Sequence, residues 1–356
     1  MSKRVFVGLS GGVDSAVSAA LLLEQGYDVV GVFIRIALPG YPCSAGVDRL
    51  DALRVATHLK IPFLDIDLSE AYAQAVFAPT ILEFGRGRTP NPDALCNREI
   101  KFGLFYQYAM EQGADFVATG HYAQLAQTPN GVELHAGCDH NKDQSYFLWA
   151  VPAEQLAHTL FPVGGYEKPD VRKLAEKFKL PNASRKDSQG LCFLGNIQIS
   201  DMLERELTLV PGDVLGQDGK VIGKHTGAMA YTLGQRHGFE VFSIPGNSDV
   251  EPHYVVAKNI ENNTITVSTE KLPSHYKQTH IVLTETNWIE QPPVGMVYAR
   301  YRYRQELIPA EVRIAEGKEV VILHEAHHVP EGQSLVMYAG DRCFGGGVVD
   351  KVTLVE

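Results

Sequence analysis

Three stretches combine residue types that could do chemistry. The first is GLSGGVDS, residues 8–15, a glycine-rich turn after an apolar run. Such a turn offers backbone N–H groups to an anion. It fits neither GxGxxG nor GxxxxGK[ST], and it holds no lysine to reach a γ-phosphate. A loop of this kind suits a diphosphate that leaves better than a γ-phosphate that is donated. Asp14 is placed to cap a helix or to approach a magnesium ion held mainly by phosphate oxygens. The plain alternative is a tight turn packing a strand on a helix. The second stretch is GRTPNPDALCNREIKF, residues 87–102. Two prolines hold Asn91 in an extended, rigid turn. Asp93 and Cys96 follow at i and i+3, neighbours on one helical turn, where a carboxylate can move protons for a thiol. A helix cap and a buried cysteine would explain the same residues. The third is RKDSQGLCFLG, residues 185–195. Cys192 sits in a glycine-flanked loop after Arg185 and Lys186, and nearby cations favour the thiolate. Two loop cysteines in one α/β domain suggest thiol–disulfide exchange.

The elements that must position these groups are legible as patterns. Lys3–Leu9 reads as a buried strand, Asp14–Gln25 as a helix stopped by Gly26, and Tyr27–Ile36 as a second strand. Helices are expected at 47–59, 71–84, 102–112 and 168–179, and strands at 62–68 and 115–119. Strand and helix alternating over the first 200 residues predict a doubly wound parallel sheet with ligands at the strand C-termini. From Val210 onward, short β-rich runs alternate with Gly, Asp and Asn turns, which predicts two small β domains meeting near 272–280. No internal repeat or low-complexity segment is evident.

Bulk properties narrow the class. The 356 residues carry a net charge of −10, with 45% hydrophobic and 21% charged residues. An RNA partner would have to bind local basic patches on an acidic body. Five cysteines without a CxxC pair fit a reducing compartment. The apolar run near the start is too short for a signal peptide or a membrane span, so a cytoplasmic protein is expected.

The blocks SGGVDS, TPNPDALCNREIKF, ATGHYA, NKDQSYFL, LFPVGGYEKPDVRKLAE, KDSQGLCFLG, YTLGQRHG, RYRYRQ and EGQSLVMYAGDRCFGGG occur in that order. SGGVDS after a first strand resembles the pyrophosphate loop of the ATP-pyrophosphatase superfamily, whose members adenylate an oxygen and release diphosphate. Together the blocks resemble the tRNA-specific 2-thiouridylases over nearly the whole chain. The resemblance implies an adenine nucleotide α-hydrolase-like catalytic domain over 1–201, a central β domain over 202–274 and a C-terminal β-barrel over 275–356. It also implies ATP with Mg2+, a tRNA substrate, a sulfur-donor protein and a monomer. Gly8, Leu9, Ser10, Gly11, Gly12, Val13, Asp14 and Ser15 would hold ATP phosphates, with Ile34 and Gly120 lining the nucleotide. Relatives often carry methionine where this chain has Ile34, which keeps an apolar surface for adenine. Cys192 would take sulfur as a persulfide, Cys96 would form a disulfide with it as sulfur leaves, and Asp93 would be the acid/base. Asn91, Pro92 and Asp93 would touch the target base. His121, Lys142, Asp143, Gln144, Arg302, Tyr303 and Gln333 would contact tRNA. One departure is the shortened stretch ALPGYPCSAG, residues 37–46, which implies a different local cover over the site.

Other candidates are weaker. HEAHH at 324–328 formally satisfies HExxH, but it follows the strand-like EVVIL and is cut by Val-Pro, so a strand end and turn are expected. Cys43, Cys138 and Cys343 read as small packed residues. Arg300, Arg302 and Arg304 would share one face of a strand, with Tyr301 and Tyr303 on the other; that is a solvated face or an RNA-facing row. The helix at 168–179 would add a second basic patch. Two rivals remain at this level: a superfamily enzyme adding an amine to the adenylated oxygen, and a tRNA-binding protein without thiolation activity. Neither needs two cysteines.

Overall fold

The computed structural model describes residues 2–41, 45–187, 193, 197, 199–242, 251–272, 275–291, 293, 295–315 and 317–356. Cys192 and Cys43 lie outside them. The first sheet contains β1 (Arg4–Gly8), β2 (Asp28–Arg35), β3 (Phe63–Asp67), β4 (Phe116–Ala118) and β7 (Thr159–Leu160), in the order β3-β2-β1-β4-β7. Every pairing in it is parallel. The chain leaves β1 toward β2 on one side and returns at β4 on the other. The sheet's switch point therefore lies between β1 and β4, where an open parallel sheet places its ligand crevice.

The helix after β1 spans Val13–Glu24. Its apolar residues Val13, Ala16, Val17, Leu21 and Leu22 are buried against the sheet. It ends where Gly26 takes φ 86°, with Tyr27 N donating to Leu22 O at 3.1 Å and Gly26 N to Leu23 O at 3.0 Å. This is the closing pattern glycine permits at a helix end. The expected helix at 71–84 is part of a longer run, Ser69–Tyr72, Ala73–Phe77 and Ala78–Gly85. The one expected at 102–112 begins ten residues earlier, because Pro92 occupies its first turn; Pro92–Cys96, Asn97–Leu104 and Phe105–Glu111 follow one another without a break. Asn97–Leu104 is wound as wide π turns directly after Cys96, a departure often found at functional sites.

A hairpin that the sequence reading did not anticipate, β5 (Ala123–Thr128) and β6 (Gly131–Ala136), follows β4. It does not join the first sheet. Instead β6 pairs with the last strand of the chain through Arg342↔His135 and Cys343↔Leu134.

The second sheet holds β8 (Gly212–Leu215), β9 (Val221–His225), β10 (Phe239–Val241), β11 (Tyr254–Asn259) and β12 (Thr264–Ser268), around Val214, Tyr231, Val255, Ile265 and Val267. The third holds β13 (Gln278–Trp288), β14 (Gly295–Arg300), β15 (Ile308–Ala315), β16 (Lys318–Leu323), β17 (Ser334–Ala339) and β18 (Arg342–Val355). It runs β13-β16-β15-β14-β17-β18, and β13 pairs again with β18 to close a six-stranded barrel. Alternate residues Val297, Ala299 and Tyr301, then Ile308, Ala310 and Val312, fill its interior. The architecture is thus a parallel-sheet α/β domain, a small central β domain and a C-terminal β-barrel. The segment 324–328 leaves β16 as irregular chain, so HEAHH lacks the helix its metal-binding reading requires.

Candidate active site

The glycine loop at residues 8–15 occupies the switch point. Leu9 N donates to Val32 O at 2.8 Å, which holds the strand end against β2. Ser15 ties the loop internally: its hydroxyl donates to Gly12 O at 3.1 Å and receives Ser10 N at 3.2 Å. Gly12 N donates to Ser10 Oγ at 3.3 Å. Gly11 has φ 77°, and a Cβ there would meet Asp48 O at 2.5 Å, so glycine is required for both reasons. The result is a compact loop aimed at the positive end of a helix. Gly120 closes the opposite wall. A Cβ at this position would stand 2.8 Å from Asp14 C and Ser15 N, so only glycine lets the end of β4 come this close to the helix start. Ile34, at the C-terminal end of β2, is 8% exposed and belongs to the same core cluster as Cys96.

The loop's carboxylate is not solvated alone. Asp14 Oδ1 receives the Tyr122 hydroxyl at 2.8 Å and Lys168 Nζ at 2.6 Å. Lys168 reaches Asp187 Oδ1 at 2.9 Å as well. Asp187 also pairs with Lys142 at 2.7 Å and Arg172 at 2.6 Å. Burial opposes its charge, but Lys142 and Lys168 outweigh it and hold the carboxyl down at about 2. The ordinary value is higher, so this ion-pair contribution is complete above about pH 4 and is lost as pH falls toward 2. Acid unfolding monitored by far-UV circular dichroism should therefore lose one proton-linked component between those values in Asp187→Asn. An unchanged acid limb in that variant would remove Asp187 from the account.

The helix at 168–177 was expected to be a solvated or RNA-facing basic patch. Instead Lys168 reaches Asp14 in the loop and Arg172 reaches Asp187, while Lys173 and Lys177 stay exposed and pair with Asp170 and Glu24. Arg185, expected to polarise Cys192, is spent on Asp48 and Asp51 and on Gly11 O at 3.4 Å. Its charge therefore steadies the loop.

The second wall is the helix that starts at Pro92. Asn91 caps it: Oδ1 accepts Ala94 N at 3.2 Å, and Nδ2 donates to Ser334 Oγ in the barrel at 3.1 Å. Asp93, partly exposed, lies in its first turn. Cys96, one turn on, has no exposed surface and sits in the core cluster with Ile34, Phe102 and Tyr146. No disulfide links cysteines among the described residues. The cap, the thiol and the barrel are joined at one seam: Asn97 Nδ2 donates to Phe147 O at 2.8 Å, and Trp149 Nε1 to Ser334 Oγ at 2.9 Å.

A glycine loop without a lysine, and a separate helix whose start carries TPNPDALC, can be compared with known proteins. Residues 3–196 match the family described as "tRNA methyl transferase HUP domain", 200–269 the "tRNA methyl transferase PRC-barrel domain", and 278–349 the "Aminomethyltransferase beta-barrel domain". The protein is 43% identical to "tRNA-specific 2-thiouridylase MnmA" of Pseudomonas fluorescens, over 98% of this chain and 95% of that one. The chain belongs to the tRNA-specific 2-thiouridylase family. It is also 40% identical to the Lysinibacillus sphaericus protein of the same name, over 98% and 94%, and to "tRNA-specific 2-thiouridylase MnmA 2" of Aliarcobacter butzleri, over 98% of both chains.

Against the 2-thiouridylase pattern, the expected tRNA contacts separate by position. Gln333 lies on the seam beside Asn91, accepting the Tyr146 hydroxyl at 3.1 Å. Tyr303 is there too, its ring 4.9 Å from Phe147. Arg302 is exposed and reaches Leu233 O in the central domain at 2.9 Å. Lys142 is taken up by Asp187, and Gln144 by the Tyr122 backbone at 3.0 Å. Asp143 is only 4% exposed; its carboxylate binds Arg300, Ser145 and Gly137 N. His121 is buried between Phe102 and Phe161, with Nδ1 2.7 Å from Thr119 Oγ1 and Nε2 3.4 Å from Lys101 Nζ. Burial, then the Lys101 ammonium, push its pKa well below the ordinary histidine range, so it is a neutral imidazole.

The expected arginine row does not form. Strand β14 ends at Arg300, and the chain turns through Arg304 at φ 62°. Arg300 is buried against Asp143, and Arg304 Nε binds Asn141 O at 2.7 Å. The sequence reading missed Lys168, Tyr122, Arg172 and Lys101. The helix holding Lys168 and Arg172 was visible as basic, but its orientation was not. No described helix is long and apolar enough to cross a membrane.

Proposed function

We propose that this chain is a tRNA-uridine 2-sulfurtransferase that makes 2-thiouridine at the wobble position. The observation carrying the reading is the lysine-free glycine loop at the switch point of a parallel sheet, in a chain of this family, with Cys96 in one core cluster with Ile34 at the end of β2. The C2 oxygen of uridine is a poor leaving group. It would attack the α-phosphate of ATP, and diphosphate would leave into the loop at 8–15, with Ile34 and Gly120 beside the nucleotide. The base would be turned out of the anticodon loop to reach the pocket by Asn91, Pro92 and Asp93. His121, buried beside Gly120, and Lys142, Asp143 and Gln144 would shape that wall, while Arg302, Tyr303 and Gln333 would hold tRNA from the barrel side.

A persulfide on Cys192 then supplies sulfur to C2, and AMP leaves. In one route the terminal sulfur attacks directly and Cys96 afterwards attacks Cys192 Sγ. In the other, Cys96 first releases hydrosulfide. Both end in a Cys96–Cys192 disulfide, which two electrons from a thiol reductant must open before the next turnover. Asp93 would move the proton for Cys96. Mg2+ bound mainly through the phosphate oxygens would offset their charge, with Asp14 the loop carboxylate that could approach it. The reading includes a catalytic unit over 1–201, a central unit over 202–274 and a barrel over 275–356, acting as a cytoplasmic monomer supplied by a sulfur-donor protein.

The test is mass spectrometry of nucleosides from unmodified tRNA incubated with the protein, ATP, Mg2+ and a persulfide source. ATP-dependent 2-thiouridine that disappears in Cys192→Ala is the expected result. No thiouridine from wild type, with tRNA and ATP binding confirmed and a competent donor protein added, would overturn the reading.

A further inference from the structure

The helix start that carries Asp93 and Cys96 is held from outside the α/β domain. Residues 88–91 lead into it, and the turn at 331–334, which opens β17, lies against them. Thr89 N donates to Glu331 O at 2.8 Å. Arg88 Nη2 donates to Val349 O in β18 at 2.8 Å. Gly332 has φ 85°, and a Cβ there would stand 3.0 Å from Arg88 Cβ and 3.1 Å from Thr89 N, so the two turns leave no room for a side chain between them. The central domain joins in, with Thr232 Oγ1 3.1 Å from Thr89 Oγ1. Ser334 is the innermost of these contacts, only 2% exposed. Its hydroxyl oxygen accepts two donors from the α/β domain, Asn91 Nδ2 at 3.1 Å and Trp149 Nε1 at 2.9 Å. These fill both acceptor positions of a serine hydroxyl. Its carbonyl accepts the Tyr146 hydroxyl at 3.1 Å.

We propose that Ser334 is a positioning residue for sulfur transfer: through this one hydroxyl the barrel sets Asn91, and with it the helix start that presents Asp93 and Cys96. The inference rests on the reading of Asn91, Pro92 and Asp93 as the base pocket and of Cys96 as the attacking thiol. Asn91 uses both ends of its side-chain amide. Its Oδ1 caps the helix at Ala94 N, while its Nδ2 is fixed on Ser334. A cap free at its far end can rotate with the turn; one pinned at both ends cannot. The helix begins at Pro92, so Asp93 and Cys96 inherit the placement of Asn91. Misplacing a reacting group by about 1 Å can cost on the order of 10²-fold in rate. The same turn leads to the tRNA side. Gln333 precedes Ser334, and its Oε1 accepts both Ser334 N at 3.0 Å and the Tyr146 hydroxyl at 3.1 Å. A tRNA held at Gln333 therefore bears on the residue that sets Asn91, so recognition at the barrel and placement of the base pocket share one turn.

The experiment measures single-turnover 2-thiouridine formation by the full-length protein at saturating ATP and tRNA, supplied with a persulfide source. Affinity for tRNA and melting temperature are measured alongside. Wild type is compared with Ser334→Ala, Ser334→Thr, Asn91→Ala, Trp149→Phe and the double change Ser334→Ala with Asn91→Ala. Ser334→Ala should slow thiolation about tenfold or more while tRNA affinity stays within about twofold. Ser334→Thr keeps the hydroxyl on a residue type that suits a strand, so it should recover most of the rate. The double change should be no slower than Asn91→Ala alone, because both remove the same link. Trp149→Phe removes the other donor to the same oxygen; it should lower the melting temperature and leave the rate within about twofold of wild type. A wild-type rate in folded Ser334→Ala protein would overturn the assignment, as would equal slowing by Trp149→Phe or additive losses in the double change. Wild type that formed no thiouridine would overturn the functional reading itself, and the assignment with it.

Discussion

Cys96→Ser is expected to abolish 2-thiouridine formation while leaving adenylation intact. The thiol has no exposed surface and lies one helical turn beyond Asp93, at the start of the widened turns of Asn97–Leu104. It lies in one core cluster with Phe102, Tyr146 and Trp149, so its reaction depends on a nearby group that accepts the thiol proton. A serine hydroxyl nearly fills the same volume but cannot attack a sulfur–sulfur bond. Loss of an attacking group of this kind typically costs on the order of 10³-fold or more in rate. The fold should bear the exchange, at about 1–3 kcal/mol for a hydroxyl placed in an apolar core.

In the proposed reaction the adenylation half would not use the thiol. In Cys96→Ser, tRNA-dependent exchange between ATP and labelled pyrophosphate should stay within a few-fold of wild type, while sulfur incorporation in a single turnover falls to background. Cys138→Ser, a change at an exposed cysteine, should alter neither readout. If Cys96→Ser still made thiouridine at a comparable rate, Cys96 would be a packing residue and the resolving thiol would have to come from solution.

The parts of the site that were legible in the sequence are those specified by their immediate neighbours. The strand–loop–helix at 4–24 is encoded locally by an apolar run, a glycine turn and a glycine stop. Asn91 and Pro92 announce a helix start in the same way. The parts that were not legible depend on distant partners. Lys168 meets Asp14 across 154 residues, and nothing in KPDVRK says which face turns inward. The hairpin at 123–136 has a local signal: two six-residue runs around Pro129-Asn130, closed by Gly131 at φ 126°. Its strands are only mildly apolar, because their burial comes from β18 and the core it brings. The alternation in YARYRYRQ was over-read as a strand. Its continuation beyond Arg300 loses to the pull of Asp143 on that residue and to the turn at Arg304.

The same Arg300 sets the second large expectation. Arg300→Ala should destabilise the protein by about 3–5 kcal/mol, an effect on the joint between barrel and α/β domain rather than on the glycine loop at 8–15. The pair is nearly dry, with side chains 9% and 4% exposed. Burial works against the guanidinium, but Tyr338 and Asp143 outweigh it and hold its pKa above the usual arginine range. Tyr338 Oη accepts from Arg300 at 2.8 Å, and Ser145 Oγ at 3.1 Å accepts as well. Truncation would strand the Asp143 carboxylate among buried groups, and that stranded charge is the larger part of the loss. Asp143→Asn should cost nearly as much, since a charged guanidinium then lacks its partner. The double change Arg300→Met with Asp143→Leu removes both charges, so it should recover much of the stability lost by either single change. Urea denaturation of the four proteins reads this directly, and hydrogen exchange locates it. Faster exchange is expected first where β6 pairs with β18, near Leu134 and Cys343, because that pairing carries the same joint. If the single changes each cost under 1 kcal/mol, the joint would be held by its apolar contacts, and the Asp143 carboxylate would be available for the tRNA contact that its place in NKDQSYFL implies.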